Sequence, residues 1–481
     1  MKGLAPTPPP PGPALDPFET TLGFWNYCAN LAGLWWSRHG GVQSEGIARE
    51  RLRDLVSFAR KRSPWYRRRY AGLPEDVAST GWLPRVTRAE LMAGFDELCT
   101  DRRIHRAAVE RFLADRSRVG ALLLDRYHVW KSSGTSGEPG IFVQDADAMA
   151  AYDALVAMQL ATAPLDPARV VAGGGRPALV VATGDHYASI TAWEHLRRVF
   201  PAAEARSFPV LAPVGELVAG LNAFAPAYLA GYPSILSLLA AEQRAGRLRI
   251  APALAWSGGE SLTSVARAAI ERSFGCAVLD EYGSSECLSI AYGCREGWLH
   301  VNSEWVVVEP IERDGSPTPP GATSHSVLVT NLANRVQPIL RYDLGDRVTV
   351  APGRCACGDP RPAIRVAGRS AELLALRAAD GSLVRLAPLA LETAAESAAG
   401  EARFQVARTA PDRLAVRLDD AARDRAATGR RIVAALRAYL DAQSLGNVRV
   451  VLAREAPRPD PRSGKLPSVV AADRCRTTRG A

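Results

Sequence analysis

Ser132-Ser133-Gly134-Thr135-Ser136-Gly137 alternates small hydroxylated residues with glycine. Glycines let the backbone turn tightly and aim successive N–H groups at an anion. Ser and Thr hydroxyls add donors without filling the space the anion needs. Such a loop suits a polyphosphate, although a Ser/Gly surface turn accounts for the same residues by turn chemistry alone. It lacks the Gly-Lys-Ser/Thr ending of a P-loop, which disfavours that class.

The loop gains weight from motifs further along the chain. Ser257-Gly258-Gly259-Glu260 comes next, then Asp280-Glu281-Tyr282-Gly283-Ser284-Ser285-Glu286. Arg341-Tyr342-Asp343-Leu344-Gly345-Asp346, Gly368-Arg369 and Gly464-Lys465 complete the series. Ser63-Pro64-Trp65-Tyr66-Arg67 and Gly231-Tyr232-Pro233-Ser234 belong to the same pattern. In this order the motifs resemble the adenylate-forming (AMP-binding) superfamily, in its phenylacetate–CoA ligase and coenzyme F390 synthetase branch. The likeness spans nearly the whole chain.

Composition is that of a soluble globular protein. The 481 residues suffice for two or three domains, and 47% hydrophobic with 23% charged residues is ordinary for a globular protein. No apolar run reaches the roughly 18–20 residues of a membrane span. The proline-dominated start lacks a secretory apolar stretch, so a cytoplasmic location is expected. The formal charge is +9, and only Lys2, Lys61, Lys131 and Lys465 are lysines among 59 basic residues. Basic residues mix with acids along the chain, which speaks against a nucleic-acid interface. A modest positive field favours anionic substrates.

Apolar strand candidates alternate with helical stretches. Residues 44–62 suit a helix with Leu52, Leu55, Val56 and Ala59 on one face. Residues 178–182 and 277–279 read as strands, and 214–225 and 235–245 as helices. This alternation implies an α/β fold with ligand loops beyond strand ends. Past Arg369 the order is strand 373–376, helix 387–398, strands 402–408 and 413–418, helix 421–442, strand 447–453. The expected organisation is a proline-rich disordered leader over 1–20, a large multi-sheet AMP-binding domain over 21–369, and a small α/β domain over 370–481. The resemblance implies that the last is a mobile lid.

The resemblance also implies roles. Ser132, Ser133, Gly134, Thr135, Ser136 and Gly137 would cradle ATP phosphates, and Glu286 would hold Mg²⁺. Tyr282 would stack on adenine, flanked by Gly283, Ser284 and Ser285. Ser257, Gly258 and Gly259 would allow close backbone approach. Asp346 would accept hydrogen bonds from the ribose, and Arg369 would meet ribose or phosphate oxygens. Lys465 would bridge carboxylate and α-phosphate. Glu286, Thr135 and Lys465 are thus the catalytic candidates. On residue type alone, Glu286 and Asp346 read as solvated loop acids, Tyr282 as a core aromatic and Lys465 as a surface lysine. A lysine after glycine in an arginine-rich chain favours function, because a guanidinium is no substitute for a compact ammonium.

Cys294, His300, Cys355 and Cys357 form a second candidate constellation. Three thiolates and an imidazole suit tetrahedral Zn²⁺, and with four protein ligands the ion would be structural. The spacing is not that of a zinc finger; His325 is an alternative ligand. His186, Trp193, Tyr232 and Trp256 read either as pocket-lining or as core side chains.

The implied activity is AMP-forming activation of a small carboxylic acid, with transfer to CoA or another acceptor. F390-synthetase-like transfer of AMP to a cofactor hydroxyl and a non-catalytic nucleotide-binding scaffold stay open. No membrane or nucleic-acid partner is expected; a homodimer is compatible. The chain departs from the family at Ala371, where an acid is common, and at the long turn Ala378–Ser382. Both changes bear on the thiol-transfer half more than on adenylation.

Overall fold

The computed structural model describes residues 17–39, 44–132, 139–201, 203–367, 373–400, 402–419, 424–458 and 466–470. The loop residues Ser133, Gly134, Thr135, Ser136 and Gly137, together with Arg369, Ala371 and Lys465, lie outside them.

The strands, in chain order, are β1 (His128–Lys131), β2 (Ile141–Gln144), β3 (Pro177–Val181), β4 (Arg206–Pro209), β5 (Tyr228–Gly231), β6 (Leu254–Gly258) and β7 (Ala277–Tyr282). Next come β8 (Ala291–Gly293), β9 (Leu299–Val301), β10 (Val306–Ile311), β11 (Ser326–Asn331), β12 (Ile339–Asp343), β13 (Arg347–Val350) and β14 (Ala363–Ala367). The C-terminal segment holds β15 (Leu374–Arg377), β16 (Leu383–Leu386), β17 (Phe404–Ala410), β18 (Arg413–Leu418), β19 (Arg449–Leu452) and β20 (Val469–Val470).

A nine-stranded sheet of order β13-β14-β9-β8-β7-β6-β5-β3-β4 organises the molecule. From β4 to β7 its pairs are parallel; from β7 to β13 they are antiparallel. The parallel strands are short, with apolar runs in β3, β5 and the first half of β7, and helices Val214–Phe224, Pro233–Arg244 and Ser264–Phe274 intervene between them. This is the α/β alternation expected from the sequence. Its carboxyl ends carry Gly231, Gly258 and Tyr282, where open α/β sheets gather ligands. Strands β10–β12 form a separate antiparallel sheet, and β1 pairs with β2.

The helix expected over 44–62 is observed as Ser44–Arg62, with Leu52, Leu55, Val56 and Ala59 buried. The helix Pro17–His39 begins inside the segment read as a leader. Proline is well suited to a first turn, where its missing N–H has no partner to lose. Among the described residues no helix is long and apolar enough to cross a membrane.

The C-terminal segment pairs β15 with β16 and builds a sheet of order β19-β18-β17-β20. Helix Arg425–Ala442 buries Ile432, Leu436 and Leu440, the stripe read from the sequence. Side chains of this segment share one buried apolar cluster with those of β3, β5 and β6. Polar groups reinforce the contact. Gln443 accepts from the Val214 N–H at 3.3 Å and donates to the Ala212 carbonyl at 3.1 Å. The Tyr187 hydroxyl donates to Glu396 at 3.3 Å.

Gln443→Ala would leave those backbone groups without their buried partner, a cost of about 1–3 kcal/mol. Amide exchange over residues 211–217 should accelerate in this variant. Unchanged exchange would show that Gln443 contributes nothing to the contact.

Candidate active site and metal centre

Strand β7 ends at Tyr282, and the chain then reverses through a tight turn. The turn is closed by the Ser284 N–H on the Cys287 carbonyl at 2.8 Å and by the Ile290 N–H on the Tyr282 carbonyl at 2.9 Å. Gly283 has no room for a side chain: a Cβ there would lie 1.8 Å from the Leu288 carbonyl oxygen. The turn is pinned from outside by Trp130 on β1, whose indole N–H donates to the Ser285 carbonyl at 2.8 Å. Two residues on, Ser132 closes the neck of the hydroxyl-rich loop. Its N–H donates to the Gly140 carbonyl and its Oγ accepts from the Gly140 N–H, both at 2.8 Å. The strand that feeds the loop therefore also holds the Tyr282–Glu286 turn.

Glu286 is buried at 2% exposure, the opposite of a solvated loop acid. The Tyr342 hydroxyl donates to its Oε1 at 2.8 Å, and the Arg88 guanidinium lies 3.7 Å from the same oxygen. Arg88 Nε also donates to the Tyr342 hydroxyl at 3.3 Å. Burial, and then the charge of Glu286, pushes the Tyr342 phenol well above its ordinary value, so it stays a donor. Tyr342 is aimed by its neighbour. Arg341 has φ +51°, a left-handed conformation uncommon for a non-glycine residue. It sits where the β11–β12 register shifts. Local irregularity of this kind re-aims a side chain.

Tyr282 donates from its hydroxyl to Asp346 Oδ2 at 2.9 Å. Burial first, then Asp346, raises this phenol well above its ordinary value. Gly259 has φ +80°, and a Cβ there would come within 3.0 Å of the Tyr232 ring. The structure thus pairs Tyr282 with Asp346 and sets Glu286 on the turn that follows Tyr282, a turn held through Trp130 by the strand that leads to Ser132, with Gly258 in register beside Glu281 on β7. Arg88, Trp130 and Tyr342 were given no role by sequence reasoning. Tyr342 lay inside a quoted motif; Arg88 and Trp130 carry no local signal.

Other sequence candidates are placed in the body of the fold. Lys131 pairs with Asp185 at 2.8 Å. His186 is fully buried, with Nε2 2.9 Å from the Asp115 carbonyl. Trp256 donates to Glu281 Oε2 at 2.9 Å, and Trp193 is buried beside Val181 and Ile190.

Cys294, His300, Cys355 and Cys357 converge, their ligand atoms all within 4.8 Å of one another. Cys294 follows β8, His300 lies on β9, and the other two lie between β13 and β14. The Cys294 and Cys355 sulfurs are 3.7 Å apart, and Cys357 Sγ is 3.1 Å from His300 Nε2. Two sulfurs on one tetrahedral Zn²⁺ at 2.3 Å would be separated by about 3.8 Å, so the donor set fits that ion. His300 Nδ1 lies 3.1 Å from the Arg361 carbonyl, an outer hydrogen bond that leaves Nε2 facing the sulfurs. His325 is not part of the group.

No family model matches the chain. It is 27% identical over 347 residues to a phenylacetate–coenzyme A ligase of Thermus thermophilus, covering 69% of this chain and 71% of that one. It is 29% identical over 130 residues to the protein CapK of Staphylococcus aureus, covering 27% of each. Among solved structures, 2-hydroxyisobutyryl-CoA ligase with 2-HIB-AMP and CoA in the thioesterification state matches over 89% of both chains. That match has a TM-score of 0.52 and 22% identity. The same ligase in the postadenylation state with R3-HIB-AMP matches over 90% of both chains, with a TM-score of 0.50 and 20% identity. The structural matches show a shared fold.

Gly283→Ala should disrupt the turn, because backbone must move to admit the methyl group. A stability loss on the order of 3–5 kcal/mol is expected from urea unfolding. A loss under about 1 kcal/mol would mean that the turn is not held as described.

Proposed function

We propose that this chain, a relative of the adenylate-forming (AMP-binding) superfamily, activates a carboxylic acid with ATP and passes the acyl group to CoA. The observation that carries the proposal is the buried Glu286, held by Tyr342 and Arg88 beside the Tyr282–Asp346 pair at the carboxyl end of the parallel strands. The likeness to an acid–CoA ligase over 69% of the chain supports it independently.

In the first step a carboxylate oxygen attacks the α-phosphorus, and the bond to the bridging oxygen breaks. Pyrophosphate leaves and an acyl-adenylate forms. In the second step a thiol attacks the acyl carbonyl and AMP leaves. Catalysis here is mostly positioning and charge stabilisation. We assign Asp346 to the ribose hydroxyls, with Tyr282 orienting it through its hydroxyl and offering its ring to adenine. Gly258 and Gly259, after Ser257, let the backbone approach the nucleotide. Ser132 holds the base of the loop whose residues Ser133, Gly134, Thr135, Ser136 and Gly137 are assigned to the phosphates. Gly283, Ser284 and Ser285 present Glu286. Arg369 is assigned to ribose or phosphate oxygens, and Lys465 to the charge that builds between carboxylate and α-phosphate.

Glu286 is the residue that would hold Mg²⁺, a hard cation that takes oxygen ligands and neutralises phosphate charge. Tyr342 and Arg88 hold its carboxyl group in place. Cys294, His300, Cys355 and Cys357 would hold a structural Zn²⁺, tying β8 and β9 to the loop before β14. The segment past residue 370 acts in this reading as the lid that exchanges the adenylation and thiol-transfer arrangements.

The test is acid-dependent ATP–pyrophosphate exchange over a panel of aryl and short aliphatic acids. Exchange should appear with one class and be lost in Lys465→Ala. It should fall about 100-fold or more in Glu286→Gln. Tyr342→Phe removes one hydrogen bond to a charged group, worth about 1.5–3 kcal/mol, and should lower exchange roughly 10–100-fold. Adenylylation of a cofactor hydroxyl without acid dependence, or no nucleotide turnover at all, would contradict the proposal.

The metal assignment is tested separately. Elemental analysis should find one zinc per chain, lost in Cys355→Ser together with thermal stability. Zinc-free protein with unchanged stability would refute it.

A further inference from the structure

Helix Pro17–His39 carries no charged residue between positions 20 and 37. Its inner face packs on helix Ala146–Thr162 and the core, burying Leu34 and Ser37. Asn26 donates to Asp147 at 2.6 Å on that side. At its end Arg38 turns back to the buried Glu304 at 3.5 Å. The outer face is apolar as well. Phe24 is 59% exposed, Trp25 65%, Trp35 53% and Trp36 66%. A helix that is apolar all round is one that is covered on both sides.

The spacing identifies the cover. Trp25 and Trp36, like Phe24 and Trp35, are eleven residues apart, about three helical turns, so the pairs share one face. Between them the outer face carries Cys28, Ala29 and Ala32, all small. The stripe therefore reads aromatic, small, aromatic, and it reads the same from either end about Asn30. Such a face is complementary to itself when a second helix lies against it in the opposite direction. The small residues then allow close approach at the centre, and aromatic pairs meet at both ends. That is the requirement of a two-fold interface, in which one patch meets its own copy.

We propose that a second copy of this chain covers the outer face of helix Pro17–His39, the two helices packing antiparallel about Asn30. An aromatic side chain buries 150–250 Å², so four of them at these exposures give about 500 Å² per copy. A pair removes roughly 1,000 Å² from these side chains alone, close to the 1,200–2,000 Å² of specific interfaces before the flanks are added. A lipid surface fits less well. Helices that lie in the membrane interface turn a cationic polar face to water, whereas here the opposite face is packed on protein and Arg38 is paired.

The test uses the full chain. Sedimentation equilibrium should find a dimer at micromolar concentration. Trp25→Lys and Trp36→Glu should each raise the dissociation constant at least tenfold, with the circular dichroism spectrum of the folded chain unchanged. Mixing the two variants should restore a dimer, because in the antiparallel arrangement the ammonium of one faces the carboxylate of the other. As a variant that leaves the aromatics intact, Ala32→Cys should form a covalent dimer with Cys28 of the partner subunit under mild oxidation. Three results would overturn the proposal. One is a monomeric wild type at about 100 μM, or a dimer that both charge variants leave intact. Another is a monomer that dimerises only after residues 2–16 are deleted, which would make the leader the occupant. The third is a monomer whose binding to phosphatidylcholine vesicles is lost in Trp25→Lys.

Discussion

A buried carboxylate constrains the centre of this molecule. A carboxyl group buried as Glu286 is comes at a cost unless its oxygens are hydrogen-bonded and paired. Tyr342 and Arg88 supply that compensation, and the fold around them serves to bring them there. Arg341 accepts a left-handed backbone directly before Tyr342. Arg88 comes from the first turn of a short helix whose start is closed by a Thr87–Glu90 capping box. Gly283 packs bare backbone against Leu288, and Trp130 fixes the same turn from β1. Three distant parts of the chain thereby determine the direction of one side chain.

The same wiring joins the parts of the site. Trp130 and Ser132 stand on one short strand and its exit, so the same strand bonds the Glu286 turn at Ser285 and the far side of the hydroxyl-rich loop at Gly140. Because Tyr282 bonds Asp346, the end of β7 is tied to the segment after β12. The Cys/His group lies further along the same sheet, one strand beyond Tyr282 in register with Ala291. An ion there would stiffen the antiparallel half of the sheet at the point where its loops are irregular.

Much of this was legible in the sequence because it is local. The strands and helices of the parallel sheet announced themselves through apolar runs and three–four spacing. Tyr282, Glu286 and Asp346 stood in compact motifs, and Cys294, His300, Cys355 and Cys357 were the residues that suit one ion. What was not legible depends on contacts between distant segments. Nothing near Arg88 marks it as the partner of Glu286, and nothing near Gln443 shows that it closes the C-terminal segment onto Val214. Helix Pro17–His39 escaped for another reason: apolar on both faces, it has no amphipathic period to read.

The central claim is that a carboxylate oxygen becomes bonded to the α-phosphorus of ATP. The most direct measurement is oxygen transfer from an ¹⁸O-labelled acid that supports turnover in the presence of CoA. The account predicts that the AMP released carries one ¹⁸O atom in its phosphate, because thiol attack at the carbonyl carbon leaves that oxygen on phosphorus. Unlabelled AMP, or label appearing in inorganic phosphate, would contradict it.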